Sequence, residues 1–267
     1  MKYKKIIGSI TVLFLVMVLL IAYSFIYDYL CKTRVYSDIS QKISDEVLSA
    51  NLQIVQCKTE GDSVRYSAGF GAVVFQKVDS RYYVLTAYHA VNSLENTILR
   101  VLNYNAKVHF PLKEYYERLP VATVEYYDEK YDLAILSFQS GENISVLKIA
   151  DSSPKYKERI VCISKPYSER STLITYGKVI SKKPVEVIFD DGSKTNCIIK
   201  HSAYADSGSS GSVVLNEICE IAGITIGGGK DIFRNFKSGY AMPSEQINIF
   251  LSEWKNNYTN SNKWLKQ

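Results

Sequence analysis

Short apolar runs separated by polar turns begin at Leu52 and continue to about residue 243. Each run has the length of a strand and is rich in β-branched or aromatic residues. The ten clearest runs read L-Q-I-V-Q-C, F-G-A-V-V-F, Y-Y-V-L-T-A, T-I-L-R-V-L, D-L-A-I-L-S-F, R-I-V-C-I-S, V-E-V-I-F, N-C-I-I-K, S-V-V-L-N and I-A-G-I-T-I. Strands at this spacing indicate a sandwich or barrels rather than alternating β-α-β units. The fold class predicted for this region is therefore all-β.

The N-terminus instead carries a long apolar segment. Residues 6–27 contain no charged side chain, and Lys2, Lys4 and Lys5 precede them. At the helical rise of about 1.5 Å per residue, these 22 residues extend roughly 33 Å, enough to cross the hydrocarbon core of a bilayer. The basic residues before the span favour the cytoplasmic side. We therefore expect a membrane helix through residues 6–27, with the rest of the chain on the extracytoplasmic side.

A cleaved signal peptide is the alternative interpretation of this segment, and it would release a secreted form. The apolar core is longer than the roughly 7–15 residues of a signal peptide, and no clean A-x-A cleavage site follows it. We therefore predict an uncleaved signal anchor, with the basic start and the membrane helix together occupying residues 1–30.

Two further segments have a helical pattern. Ile39, Ile43 and Val47 are spaced four apart, so residues 31–51 are expected to form a stalk or a helix that packs onto the folded domain. Ser244 is a residue type that caps helices. A C-terminal helix is therefore expected over residues 244–256, followed by a polar tail over 259–267. Its apolar face would consist of Ile247, Phe250, Leu251 and Trp254.

Residues 205–216, A-D-S-G-S-S-G-S-V-V-L-N, concentrate four serines and two glycines before the chain turns apolar. A glycine-rich turn that leads into a strand can hold a serine hydroxyl beside backbone N–H groups that point in one direction. Taken alone, such a stretch is more commonly a flexible surface loop. Its interpretation depends on the rest of the chain.

A histidine and an aspartate at strand ends change that interpretation. His89 follows the apolar run Y-Y-V-L-T-A, whereas His109 and His201 lie in polar surroundings and are expected to be ordinary surface or core histidines. Asp132 opens the apolar run D-L-A-I-L-S-F, where a partly buried carboxylate needs a partner. A histidine N–H would suit it, because the ring is then held in the tautomer that can accept a proton from a serine.

Together these motifs and their flanks resemble the chymotrypsin-like (trypsin-like) serine proteases. L-T-A-Y-H-A-V resembles the family's histidine motif, D-L-A-I-L its aspartate motif and G-S-S-G-S-V-V-L-N its nucleophile motif. G-I-T-I-G-G resembles the strand that lines the substrate backbone. G-Y-A-M-P-S resembles the closing strand of the bacterial HtrA/DegP-type members. The resemblance covers about residues 52–255, and the three motifs in this order are specific although each alone is weak.

The resemblance implies a chymotrypsin-like double β-barrel within a protease domain over residues 52–258. The first barrel, about 52–145, would carry the histidine and the aspartate, and the second, about 155–243, the serine. The boundary is expected near 141–158, where polar residues interrupt the strands. The chain after Pro243 is too short for a PDZ domain, so an HtrA/DegP-like protease domain without one is expected.

The implied chemistry is peptide-bond hydrolysis through an acyl-enzyme. Ser210 would be the nucleophile, His89 the general base and Asp132 the carboxylate that orients it. Backbone N–H groups of Gly208 and Ser210 would form the oxyanion hole. Ser207 competes for the role of nucleophile because D-S-G-S also mimics the motif. Ser210 fits better, since it has a glycine two residues earlier and an apolar strand that begins three residues later.

The resemblance also implies residues that contact substrate. Tyr204, six residues before Ser210, would lie near the base of the primary specificity pocket, and the absence of an acid there does not favour Lys or Arg. Thr225 stands where the viral and glutamate-specific branches of the family have a histidine. Because this chain lacks that histidine, cleavage after Glu or Gln is not favoured. The residues expected along the substrate backbone are Thr225, Ile226, Gly227 and Gly228.

Other function classes find less support. The formal charge of +5 comes without an arginine-rich run, so no nucleic-acid partner is expected. There is no H-E-x-x-H motif and no His/Cys cluster, so no metal and no cofactor are expected. The alternative to a membrane-anchored serine endopeptidase is a catalytically inactive protease-fold binding or sensing module on the same anchor. The presence of histidine, aspartate and serine in their motifs favours the enzyme, whose partner would be a protein or peptide substrate.

Overall fold

The structure is a computed structural model that describes residues 2–61, 63–67, 69–167, 169, 171–188, 192 and 194–264. These residues form an N-terminal helix, two curled antiparallel sheets and a C-terminal helix. The predicted fold class is confirmed, because one sheet is a closed barrel and the other a half-barrel.

The first sheet closes into a six-stranded barrel over the described part of the chain. Its strands are β1 (Asn51–Glu60), β2 (Ser63–Tyr66), β3 (Phe70–Val78), β4 (Arg81–Ala87), β5 (Thr97–Asn103), β6 (Val121–Asp128) and β7 (Leu133–Gln139), with a short helix, Leu112–Glu117, between β5 and β6. The order around the barrel is β1-β3-β4-β7-β6-β5, and β5 pairs back onto β1 from Leu52–Asn103 to Lys58–Thr97. Strand β2 forms a hairpin outside this ring.

The second sheet, a half-barrel, follows a connection that has no strand between Gln139 and Arg159. Its strands are β8 (Arg159–Ser164), β9 (Leu173–Lys178), β10 (Val185–Ile188), β11 (Lys194–His201), β12 (Val213–Leu215), β13 (Ile221–Lys230) and β14 (Phe236–Pro243). Their order is β10-β11-β14-β13-β12-β8-β9. The two sides of this sheet approach each other at an isolated bridge between Val179 and His201.

One continuous apolar core joins the two sheets. It contains fully buried side chains of the barrel, such as Leu85 and Ile135, and of the half-barrel, such as Val213 and Ile224. Burying an aliphatic side chain of this size stabilises a fold by roughly 1.5–3 kcal/mol. Because the sheets share this core, the cleft between them has walls that are held in a fixed relation.

The C-terminal helix runs from Ser244 to Trp264, beyond the predicted end at residue 256. Its predicted apolar face is buried: Ile247, Phe250, Leu251 and Trp254. The hydroxyl of Ser244 has no hydrogen-bond partner within the described residues, so this side chain does not act as the predicted cap. Packing of the apolar face, rather than a capping hydrogen bond, therefore places the helix.

The N-terminal region contains helix α1 (Lys2–Thr33) and the short helices Ser37–Ser40 and Asp45–Ser49. Helix α1 is long and apolar enough to cross a membrane, and its large side chains from Ile10 to Leu20 are exposed. The helical pattern predicted over residues 31–51 is broken into the end of α1 and the two short helices. Ile39 and Val47 nevertheless bury against the barrels, so this segment packs onto the domain instead of standing free as a stalk.

His201 lies fully buried at the end of β11, across from Gly239 on β14. Its Nδ1 lies 3.2 Å from the carbonyl oxygen of Ala203, to which it donates. Its Nε2 has no partner in the described part of the chain. Burial lowers the pKa of His201 to about 4, so the ring stays neutral in the folded protein at neutral pH.

His201 should make the fold sensitive to acid. Its pKa is depressed, so the unfolded state takes up a proton near pH 6.5 that the folded state accepts only near pH 4. The stability that neutral His201 contributes is complete above pH 6.5, decreases as the pH falls below 6.5 and is fully lost once the pH has fallen through about 4. Between pH 7 and pH 5 the free energy of unfolding should drop by about 2 kcal/mol from this source.

Denaturant unfolding of the full chain in detergent at several pH values measures this dependence. In His201→Gln the difference between pH 7 and pH 5 should shrink by that amount, whereas the carboxylates keep their contribution in both proteins. An unchanged difference would contradict the assignment.

Candidate active site

Two paired strands bring His89 and Asp132 together. Strand β4 ends at Ala87, and a single 3-10 turn, Tyr88–Ala90, carries His89. Asp132 immediately precedes β7, which pairs with β4 so that Ala87 lies opposite Leu133. The N–H of Tyr88 donates to the carbonyl oxygen of Asp132 over 3.1 Å. The segment that follows β4 is therefore held beside Asp132, the residue that precedes β7.

The Asp132 carboxylate is buried, with 3% of the residue exposed, and both of its oxygens bind the same histidine. Oδ1 accepts from the backbone N–H of His89 over 2.9 Å, and Oδ2 lies 2.7 Å from His89 Nδ1. The backbone at Asp132 is left-handed, with φ of 49°, a conformation that aspartate tolerates better than most residues. Two donors thus compensate the buried charge and fix the orientation of the imidazole ring.

The other ring nitrogen of His89 faces Ser210. Its Nε2 lies 2.8 Å from Ser210 Oγ, and the side chain of His89 is 36% exposed. A carboxylate can only accept, so Nδ1 carries the proton and Nε2 accepts from the serine hydroxyl. The structure therefore joins Asp132, His89 and Ser210 in one hydrogen-bonded chain, although 121 residues separate the histidine from the serine.

The turn before Ser210 is held by its own hydrogen bonds. The N–H of Ser209 donates to the carbonyl oxygen of Asp206 over 2.8 Å, and the N–H of Ser212 donates to Ser209 over 3.0 Å. Gly208 adopts φ of +92°, and a Cβ there would lie 2.4 Å from the ring of Tyr167. Only glycine fits this position without strain. The N–H groups of Gly208 and Ser210 donate to no group within the described residues.

The turn of residues 206–212, here called the serine turn, is hydrogen-bonded to the closed barrel through Gly71. The N–H of Gly71 donates to the carbonyl oxygen of Ser210 over 2.8 Å, and the hydroxyl of Thr86 donates to the carbonyl oxygen of Gly71 over 2.7 Å. On the half-barrel side, the N–H of Gly211 donates to the carbonyl oxygen of Thr225 over 2.8 Å. The turn is therefore held from both sheets.

The structure divides the predicted substrate-contacting residues of β13 into two pairs. Thr225 and Ile226 are buried, and Thr225 supports the serine turn through its carbonyl oxygen. Gly227 and Gly228 lie where the strand becomes accessible. A Cβ on Gly228 would lie 2.8 Å from the carbonyl oxygen of Ala205, so the strand passes close to the segment that leads to the serine.

Tyr204, the residue predicted near the base of the specificity pocket, is buried beside that segment. Its hydroxyl lies 3.2 Å from Asp206 Oδ2, and its ring packs 5.1 Å from the ring of Phe236. Burial raises the pKa of Tyr204. Burial acts in the same direction on Asp206, but the ammonium of Lys230 at 2.7 Å holds the pKa of that carboxyl below its usual range. The acid that contacts the Tyr204 hydroxyl is therefore already paired with a lysine.

Sequence reasoning missed residues that support the site. Gly71 carried a signal, because a glycine inside a strand pattern often marks a close approach of another backbone. The end of α1 carried none: Cys31 is buried against Tyr204 and Phe236, and the ammonium of Lys32 lies 4.4 Å above the Tyr204 ring. His109 is exposed against Tyr115 and lies outside the site.

A closed barrel beside a half-barrel, with histidine and serine meeting in the cleft, is the architecture of the trypsin-like peptidases. The family model described as trypsin-like peptidase domain matches residues 69–224, which is more than half of the chain. The chain therefore belongs to this family, and the predicted resemblance is confirmed.

A solved structure extends this comparison to the fold. The chain is similar to a serine endoprotease from Yersinia pestis, with 18% sequence identity and a TM-score of 0.56. The match covers 83% of this chain and 68% of that chain. Such a likeness shows that the two proteins share a fold.

Proposed function

We propose that this chain is a membrane-anchored serine endopeptidase that hydrolyses peptide bonds through an acyl-enzyme. Ser210 is the nucleophile, His89 the general base and Asp132 the carboxylate that orients it. The observation that carries the proposal is the hydrogen-bonded chain from Asp132 through His89 to Ser210, with contacts of 2.7 and 2.8 Å. Membership of a peptidase family supports the same conclusion.

The proposed reaction proceeds in two halves. Ser210 Oγ attacks the scissile carbonyl carbon while its proton passes to His89 Nε2, and that proton then goes to the leaving amine. A water molecule repeats the sequence on the ester and frees Ser210. Asp132 stays ionised and stabilises the imidazolium that forms in each half.

The backbone N–H groups of Gly208 and Ser210 are the proposed oxyanion hole. Neither has a protein acceptor within the described residues, so both remain available to a developing negative charge. A donor at this position typically contributes about 10²–10³ in rate.

The substrate is a protein or peptide that lies along the accessible end of β13 at Gly227 and Gly228. Its side chain at the cleaved bond would point towards Tyr204. Asp206 is the acid nearest to Tyr204 and is neutralised by Lys230, so a preference for Lys or Arg is not favoured.

Membrane anchoring through residues 6–27 is the second part of the proposal. In this arrangement residues 1–30 form the cytoplasmic start and the span, and the protease domain, residues 52–258, works on the extracytoplasmic side. The length and the exposed apolar surface of α1 support it. Wild-type chain should remain in the membrane pellet after alkaline carbonate extraction, and release into the supernatant would overturn the anchor.

Covalent labelling tests the enzymatic part. A fluorophosphonate reacts with a serine that a neighbouring base activates, so full-length chain in native membranes should be labelled, and prior denaturation should prevent labelling. Absence of labelling in folded protein would overturn the enzyme and favour the inactive protease-fold module.

Replacing Gly211 with alanine should disable the site without touching its reacting groups. Gly211 adopts φ of +79°, and a Cβ there would lie 2.1 Å from the carbonyl oxygen of Gly71 and 2.2 Å from the Thr86 hydroxyl. The turn must shift, and a displacement near 1 Å at a catalytic group costs about 10²-fold in rate. We expect the rate of fluorophosphonate labelling to fall by at least this factor and the melting temperature to drop.

Gly141→Ala is the matched control, because no described residue other than its two chain neighbours lies within 4 Å of a Cβ at Gly141. This variant should label and melt like the wild type. Wild-type labelling in Gly211→Ala would show that the turn does not depend on this close approach.

A further inference from the structure

The turn between β13 and β14 holds an apolar side chain out into solvent. Ile232 is 89% exposed, more than any other large apolar side chain in the described part of the chain. Two hydrogen bonds close the turn, because Asp231 Oδ1 accepts from the N–H groups of Phe233 and Asn235 over 2.8 and 3.0 Å. A single exposed isoleucine is common on protein surfaces. Whether Ile232 has a function therefore depends on the residues around this turn.

This turn is bound to helix α1. The side chain of Asn235 donates to Ser24 Oγ over 2.8 Å, and Ser24 Oγ in turn donates to Asp231. One helical turn further on, Asp28 Oδ1 accepts from the N–H of Phe236 over 3.1 Å. The position of the turn along α1 is therefore fixed between Ser24 and Asp28.

That position corresponds to a depth in the bilayer. A helix needs about 20 residues to cross the hydrocarbon core. Counted from Ile6, the first residue of the uncharged segment, such a span ends near Phe25. Ser24 then lies at the outer edge of the core, and Asp28 lies about 6 Å further out along the helix. The turn that binds both residues is placed at the level of the lipid headgroups.

Beside these contacts, a cavity of about 590 Å³ lies between the helix and the turn. Leu20, Tyr23 and Tyr27 line it from the helix, and Ile232 and Phe233 line it from the turn. Its walls are mostly apolar and aromatic, and it continues the apolar surface of α1 directly. An apolar opening at this depth is suited to lipid.

Basic residues surround this apolar surface. Lys200 and Lys237 line the same cavity, and Arg234 is exposed next to Phe233 in the turn. The acid of the turn, Asp231, is already engaged by Ser24 and by backbone N–H groups. An apolar tip with basic residues around it matches an interface that contains anionic phospholipids.

We propose that the β13–β14 turn is a second membrane contact, in which Ile232 and Phe233 enter the lipid interface beside α1 and Arg234, Lys200 and Lys237 face anionic phospholipid headgroups. The inference rests on the proposed membrane anchor. Two contacts hold the half-barrel at one orientation to the membrane, whereas a single helix would let the domain rotate about its own axis.

Quenching by brominated lipids tests the contact in the full chain. The protein is reconstituted in vesicles of phosphatidylcholine with about 30% phosphatidylserine, a fraction chosen to give a clearly anionic surface. Ile232→Trp should add fluorescence that brominated acyl chains reduce at least two-fold. Wild-type protein, with Trp254 and Trp264, supplies the background. Ile98→Trp, at a partly exposed strand position on the closed barrel, is the control and should add fluorescence that is not quenched.

A separate variant tests the role of the basic residues. Arg234→Gln combined with Lys237→Gln, in the Ile232→Trp background, should lower the quenching in anionic vesicles to the value seen in pure phosphatidylcholine. Equal quenching in the two lipid mixtures without these changes would overturn the role of anionic headgroups.

Carbonate extraction of the same vesicles distinguishes failure of the α1 anchor from failure of the second contact at the β13–β14 turn. If α1 resists extraction and Trp at position 232 is not quenched, the second contact is overturned while the anchor stands. If the wild-type chain is extracted, the anchor is overturned and the second contact with it.

Discussion

Ser210→Ala should abolish fluorophosphonate labelling and lower peptide hydrolysis by a factor on the order of 10⁶. The hydroxyl of Ser210 lies 2.8 Å from Nε2 of His89, and alanine removes the oxygen that would attack the scissile carbonyl. The fold should be unaffected, because the backbone bond from Gly71 to the Ser210 carbonyl oxygen survives the substitution. Residual hydrolysis would come from binding and from the oxyanion hole.

Ser207→Ala is the matched control for this prediction. Ser207 is exposed, and its bonds to Asp206 Oδ1 and from Tyr167 use only its backbone. The variant should therefore keep wild-type labelling and melting temperature. Loss of activity in Ser207→Ala with full activity in Ser210→Ala would move the nucleophile to Ser207.

Asp132→Asn should lower kcat by about 10⁴-fold while the protein stays folded. Both oxygens of Asp132 accept hydrogen bonds from His89, one from the backbone N–H and one from Nδ1. Asparagine has one acceptor oxygen, so its NH₂ group must face one of these donors. If it faces Nδ1, the ring takes the other tautomer, in which Nε2 carries a proton and cannot receive one from Ser210.

Steady-state hydrolysis of a peptide library by the purified full chain measures this loss. Asp128→Asn serves as the control, because Asp128 is the last residue of β6, four residues before Asp132, and its carboxylate accepts from the N–H of Lys130 among the described contacts. It should retain wild-type kcat. Asp132→Asn with more than about a tenth of wild-type kcat would contradict the role given to the buried carboxylate.

Most of the strands that the sequence revealed have at least one buried face, and β10, which has no fully buried residue, is the exception. The runs that became β3, β4, β7 and β13 are continuous apolar segments with mostly buried residues. Strands β2, β6 and β9 escaped prediction because they are more exposed or polar. In β6 only Ala122 is fully buried, and the strand carries charge at Glu125 and Asp128. Packing and pairing with neighbours, rather than local composition, make such segments strands.

The candidate site, too, was predictable from the sequence only where it depends on local motifs. The motifs around His89, Asp132 and Ser210 were recognisable because each lies within a few consecutive residues. Whether they meet depends on the pairing of β4 with β7 and on Gly71, which binds the serine turn. The number of residues between two motifs in the sequence does not give the distance between their side chains in the cleft.

By itself the sequence determined the all-β class, the apolar helix at the N-terminus and the three motifs, because strand period, hydrophobic length and glycine turns are local properties of the chain. The tertiary structure alone decided that residues 35–50 pack onto the domain, that Asp206 is paired with Lys230, and that α1 ends against Tyr204 and the β13–β14 turn. These contacts join residues that lie far apart in sequence, and their formation depends on the complementary surfaces that only the folded chain creates.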